Sequence, residues 1–378
     1  MTNAEYDLLI TAGRVVCPAT GMDSPGAVAV RDGRIMYSGP DVTGSARMRL
    51  EYPDEVLLPG LVDLHAHPAL GGSKYGVDPD VHFLPQGVTT VLSQGDAGAS
   101  NWLEYRDSVI RASRTRVRLA INLSARGEST SVGCFENLED VDVEACVTAI
   151  EQGGEDIWGI SVNATKVVCG NNDPREIVSR ALEAAERTCR PLLYGIREPS
   201  QWPLEEQLEL LRPGDVLTYC FRGGEYSLVN ERGRVNPAAR DARQRGILFD
   251  IGHGMGSFDF AVAEAAIADG FPPDTISSDQ YKRHVGLKPQ HNLPRTLSKL
   301  IAAGMPEIEA FAAVTVRPAE ILGLAGEIGT LAADACADLV VLRFNTDAAT
   351  LRDVNGVERP GGCWEPVLTV RAGELINR

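Results

Sequence analysis

Basic charge is scarce in this chain: its 378 residues carry 36 Lys and Arg against 52 Asp and Glu, a formal charge of -16. Such a surface repels phosphate backbones and anionic lipid, which argues against nucleic-acid and membrane partners. Long apolar runs are missing as well, none approaching the roughly 20 residues that a membrane-spanning helix needs. The opening Met1-Thr-Asn-Ala-Glu-Tyr-Asp lacks the basic region and apolar core of a secretory leader, so a cytoplasmic protein is expected. The eight cysteines are scattered without a CxxC pair, which excludes a cysteine-framed metal knot and suits reduced thiols that pack. There is no low-complexity linker, and no repeat beyond an alternation of strand-like and helical segments. With 44% hydrophobic and 23% charged residues, the chain has the balance of a globular protein. Its length suits one large domain with a small accessory one.

What stands out against this background is Leu61-Val-Asp-Leu-His-Ala-His-Pro-Ala-Leu70. Apolar residues lead into His65 and His67, and a spacing of two places both imidazoles on one face of an extended strand, close enough to share an ion. Further strand-like runs cover 59–66, 87–94, 116–124, 157–164, 191–196, 215–221, 246–252 and 274–279, which is the number a closed parallel barrel needs. Between them lie helical stretches such as 175–187 and 260–268, with apolar residues three and four apart. The fold class expected is α/β, a (β/α)8 TIM barrel over 59–328. Residues 1–58 and 329–378 carry short alternating strands, neither set long enough to bury a core alone, so the two ends are expected to pair into one small β-sandwich. Chemistry in such a barrel sits at the C-terminal strand ends. There the eighth run ends in Asp279.

The punctuated entry Leu57-Leu58-Pro59-Gly60 followed by Asp63, His65 and His67 resembles the first barrel strand of the amidohydrolase superfamily. Strand seven, Asp250-Ile-Gly-His-Gly254 followed by Ser257-Phe258, resembles its dihydroorotase-like deacetylase branch, as do Val77-Asp-Pro79, Gly214-Asp-Val216, Leu293-Pro294 and Ser298-Lys299. The likeness runs over nearly the whole chain. It implies a hydrolase of amide, cyclic amide or ester bonds in small molecules, and often a homo-oligomer.

The departures from that pattern decide the metal chemistry. Where the branch has a carboxylated lysine bridging two ions, this chain has Ser161. The strand-five histidine falls on Gly195, or on Tyr194 if the register slips by one, and the strand-six histidine on Tyr219. Serine, glycine and a protonated phenol offer too little negative charge for a second ion, so a binuclear centre is not expected. His65, His67 and Asp279 can still hold one Zn2+. Asp279 is then the candidate base and Tyr219 the candidate donor to a developing oxyanion. His253 is a candidate proton shuttle and Lys166 a candidate cation beside the substrate. Arg197, Arg222 and Tyr194 are candidate contacts to a carboxylate-bearing substrate. Cys169 and Cys220 read as packing residues rather than soft ligands. Metal-free lyase, isomerase or lactonase chemistry on the same His, Tyr and Asp side chains is the alternative, and a binding homologue without catalysis the third reading.

Overall fold

A computed structural model describes residues 5–42 and 44–376. Four strands open the chain: β1 (Tyr6–Cys17), β2 (Met22–Arg31), β3 (Arg34–Gly39) and β4 (Ala46–Pro59). Seven follow in the middle: β5 (Leu61–Ala66), β6 (Val88–Gly98), β7 (Arg116–Asn122), β8 (Ile157–Asn163), β9 (Leu192–Gly195), β10 (Val216–Thr218) and β11 (Leu248–Phe249). The last five are β12 (Leu339–Asn345), β13 (Leu351–Arg352), β14 (Glu358–Arg359), β15 (Cys363–Arg371) and β16 (Glu374–Leu375).

The two ends of the chain do meet. β16, β15, β12, β4, β1, β2 and β3 form one seven-stranded sheet in that order, closed over its own apolar core of Leu8, Ile10, Val28, Leu57, Leu339 and Val341. β12 lies antiparallel to β4, pairing Leu339 with Pro59, so the return strand is seated where the chain enters the barrel.

β5 to β11 pair in sequence order, each parallel to the next. Their residues are buried nearly throughout, as in β5 and β6, which suits strands covered on both faces by core and crossover helices. The helix Pro174–Thr188 has proline in its first turn and Asp173 accepting from the Arg175 amide. The helix Phe260–Ala268 is capped by Asp259 in the same way. No helix among the described residues is long and apolar enough to cross a membrane.

The ring closes through an extended segment rather than a regular eighth strand. Thr275 bridges Asp250, Asp279 N donates to His65 O at 2.7 Å, and Ser278 donates to Asp63 through its amide at 3.0 Å and through its hydroxyl. The later strands are also shorter than the sequence suggested: 215–221 contracts to Val216–Thr218 and 246–252 to Leu248–Phe249. The reason is conformational. Tyr219, Gly252, Gly254 and Asp279 have φ of 65, 50, 48 and 46°, left-handed backbone that cannot continue a pleat.

Gly60 joins the end sheet to the barrel. A β-carbon there would lie 2.3 Å from Thr89 Oγ1 and 2.6 Å from its Cγ2. The Gly60→Ala variant is therefore expected to lose about 1–3 kcal/mol through overpacking. Denaturant unfolding of Gly60→Ala/Thr89→Ala should show part of that loss recovered, since both colliding atoms are gone.

Candidate active site

β5 delivers His65 and His67 to the barrel mouth, and the closing segment delivers Asp279. Asp279 Oδ1 lies 3.6 Å from His65 Nε2 and 3.5 Å from His67 Nε2. Ligand atoms of these three buried residues all fall within 4.8 Å of one another, a grouping that can hold a metal ion.

The two imidazoles are oriented by hydroxyls and carboxylates behind them. Asp250 accepts from Thr218 Oγ1, Thr275 Oγ1 and Ser277 Oγ at 2.8, 2.7 and 2.6 Å. Because the Thr218 proton is committed to Asp250, its oxygen accepts from His65 Nδ1 at 2.8 Å. The Nε2 lone pair of His65 therefore faces Asp279. His67 Nδ1 donates to Asp96 at 3.0 Å, and Asp96 is held by Ser73 and Ser93, both at 2.6 Å. Such outer partners fix the tautomer of metal-binding histidines and raise their basicity.

The electrostatics call for a cation. Burial alone would depress the His67 pKa, but Asp96 and Asp279 outweigh it and raise it to about 10. A proton thus takes the place of positive charge between two carboxylates, and a metal entering there displaces it. Asp63, wholly buried near Asp250, is pushed up to about 7 by desolvation despite its bonds from Ser278.

The glycines flanking His253 now have a structural reason. A β-carbon on Gly252 would sit 2.3 Å from Thr218 Oγ1 and 3.1 Å from His65 Nδ1, and one on Gly254 would sit 2.4 Å from Asp279 Oδ2. The loop must be bare to pass so close to the ligand side chains.

The positions where the resemblance would put a bridging lysine and two further histidines are taken up by other side chains. Ser161 Oγ accepts from Gln94 Nε2 at 3.1 Å. A β-carbon on Gly195 would meet Asn163 Oδ1 at 2.9 Å and Tyr219 Cε2 at 3.2 Å, so the space of a strand-five histidine is filled by these neighbours. Tyr219 places its hydroxyl 3.4 Å from His65 Nε2. Its pKa is raised well above the ordinary value, first by burial and then by Asp279, which keeps it a proton donor.

Comparison with known proteins places this geometry. The model of the Amidohydrolase family matches residues 256–372. A deacetylase of Agrobacterium fabrum is 32% identical over 91% of this chain and 85% of its own. A deacetylase of Enterococcus faecalis is 31% identical over 99% of this chain and 100% of its own. Crystal structures described as an adenine deaminase and a dihydroorotase, each 30% identical, superpose with TM-scores of 0.89 and 0.87; they cover 99% and 97% of this chain and 100% and 98% of theirs. The chain is an amidohydrolase. It belongs to the dihydroorotase-like deacetylase branch of that superfamily, and its barrel is the (β/α)8 barrel of these enzymes.

Within this amidohydrolase, not every residue singled out from the sequence reaches the mouth. Tyr194 does not: it is fully buried and donates its hydroxyl to Gln207 Oε1 at 2.7 Å, on the helical side of the wall. Gly195, not Tyr194, occupies the histidine slot. Arg197 is no open anion clamp either, since its Nε lies 3.1 Å from Glu198 Oε2 and its Nη1 donates to Ala164 O at 3.4 Å. The Lys166 side chain is exposed, at the start of the short helix Lys166–Cys169, and makes no bond to the cluster. His253 does not bond to His65, His67 or Asp279. It donates from Nδ1 to Gly254 O at 2.7 Å and meets Lys299 Nζ at 2.7 Å. Arg222 stays beside Tyr219, its guanidinium 3.6 Å from the centre of the Tyr226 ring. Cys169 and Cys220 are buried free thiols, Cys169 with its pKa pushed to about 12 by burial.

Four residues with clear roles were passed over: Thr218, Asp250, Asp96 and Asp63. Asp63 and Asp250 stand inside the motifs quoted for the strand ends and Thr218 immediately precedes Tyr219, so only Asp96 carried no signal. Tyr75 and Tyr281 were missed as well. Their rings lie 5.0 and 6.0 Å from that of His67, and with Lys74, Glu128, Cys134 and Arg283 they line an adjoining cavity of ≈ 570 Å³.

Thr218→Val keeps the shape of the wall but removes the acceptor of His65 Nδ1. It should weaken divalent-metal retention by roughly 10–100-fold, read by chelator competition, with little change in the circular dichroism of the fold.

Proposed function

We propose that this amidohydrolase cleaves an amide or cyclic amide bond in a small molecule, with one divalent ion, zinc, held by His65, His67 and Asp279. The observation that carries this reading is the convergence of two tautomer-fixed Nε2 atoms on one carboxylate oxygen. The deacetylase relatives at 31–32% identity support the bond class. An ion in that position supplies electrophilic polarisation of the scissile carbonyl and a nucleophilic water at neutral pH.

The chain's own groups do the rest. Asp279 stands at the mouth with its second oxygen free of the histidines, positioned to accept the proton of the attacking water and to return it to the leaving nitrogen. Tyr219, held protonated, donates to the oxygen that gains charge as water adds, the part a second ion plays in binuclear relatives. Arg222 lies at the same strand end and suits a carboxylate on the substrate. Tyr75 and Tyr281 give the adjoining cavity aromatic walls, and Arg283 gives it a cation at the rim. The substrate is accordingly an N-acyl compound with a planar or apolar body and an anionic group.

Two variants test the assignment. Asp279→Asn should abolish amide hydrolysis without altering the fold. Tyr219→Phe should lower kcat by about 10²–10³-fold while bound metal stays at one per chain. Full activity in the presence of a strong chelator, in protein shown to contain no metal, would instead favour direct acid–base chemistry by the same side chains.

A further inference from the structure

Behind the loop that carries Asp279 lies a second cavity, of ≈ 190 Å³, whose walls include His253, His284, His291, Arg295 and Lys299. Half of the chain's six histidines are here. So are two buried cations set one helical turn apart on the helix Leu293–Ala302. Arg295 is 8% exposed and Lys299 5%. Neither forms an ion pair with a carboxylate among the described residues. Arg295 donates through Nη2 to the carbonyls of Ala349 and Thr350, and Lys299 to His253 Nε2.

The other charged side chains on the wall have bonds of their own, although Asp353 keeps its charge and acts on Lys299 through space. Asp353 accepts from the amides of Asn355 and Val357 on one oxygen and from Phe260 on the other. Arg352 pairs with Glu358. His284 is the decisive member. It is 3% exposed, its Nδ1 accepts from Tyr281 N at 3.1 Å, and the proton therefore lies on Nε2, which makes no hydrogen bond of good geometry although the Gly254 backbone acts on the ring. Buried donors are almost always satisfied, and an orphan in a cavity wall points to something that belongs in the cavity.

We propose that this cavity is a binding site for a small oxyanion of the inorganic phosphate or sulfate class, held by Lys299 Nζ, Arg295 and His284 Nε2. The anion supplies the direct ion pair that two desolvated cations lack, Asp353 acting on Lys299 only through space, and it does so through charge-assisted hydrogen bonds. Burial and the nearby Arg295 lower the Lys299 pKa to about 7 against the upward pull of Asp353, as an ammonium with no directly bonded anion requires. Occupancy also braces the catalytic loop, because the cavity histidines hold its backbone: His253 N donates to Ser277 O, His291 Nε2 to Ser278 O at 2.8 Å, and Tyr281 N to His284. The site stands independently of the amide-hydrolysis reading.

Thermal unfolding of the whole protein in inorganic phosphate, against chloride of equal ionic strength, tests the proposal. Phosphate should raise the unfolding midpoint of the wild type in a saturable way. Lys299→Met should bind at least about tenfold more weakly, the loss expected for a charged hydrogen bond. Leu287→Glu alters only an exposed rim residue of the cavity; by placing a carboxylate at the opening it should abolish the shift even if Lys299→Met does not fold. His67→Asn should keep the shift. No phosphate-specific shift in the wild type, a shift retained in Leu287→Glu, or a shift lost in His67→Asn would each overturn the assignment, the last by moving the anion to the barrel mouth.

Discussion

Two hydrogen-bond chains govern this structure: Asp250 to Thr218 to His65, and Asp96 to His67. Each ends in a carboxylate buried in the barrel, and a buried charge is tolerated only where donors surround it. The strands meet that demand with hydroxyls, Thr218, Thr275 and Ser277 on Asp250 and Ser73 and Ser93 on Asp96. The same bonds that make the carboxylates affordable fix which face each imidazole shows to the mouth. Stability of the wall and readiness of the site are one arrangement.

The backbone shows the complementary cost. Tyr219 and Asp279 are non-glycine residues in left-handed conformation, a strain of order 1–3 kcal/mol each that persists only where surrounding contacts over-determine it. Tyr219 follows β10 and Asp279 lies in the closing segment, and both aim their side chains at His65. Gly252 and Gly254 make the same backbone turn without a side chain, where any β-carbon would strike Thr218 or Asp279. The last strands are short because the chain leaves the pleat as soon as it reaches the chemistry.

Much of this was legible in the amino-acid order. The HxH pair, Asp279 and the missing bridging lysine could be read because strand ends in this fold carry one-residue signals in fixed places. The register of β9 could not: four residues buried on both faces give no alternation to tell Tyr194 from Gly195. Arg197 looked open because the carboxylate that neutralises it, Glu198, is its own neighbour in the chain and in the sequence reads as one more solvated charge. His253 was visible as part of a motif, but Lys299 stands 46 residues away and is brought to it only by packing. The closing segment read as a strand because it is extended and pairs with residues 250–254 on one side, though on the other its bonds are divided among Asp63, His65 and Ala313.

The interlocked filling around Ser161, Gly195 and Tyr219 bears on the history of the barrel. Gln94 already bonds Ser161, and Asn163 and the Tyr219 ring occupy the room beside Gly195. A lysine restored at 161 would meet an amide, and a histidine restored at 195 would meet a phenol, so neither reversion gains anything alone. The three positions are locked together by packing, so a change at any one of them is felt by side chains that the other two already hold in place.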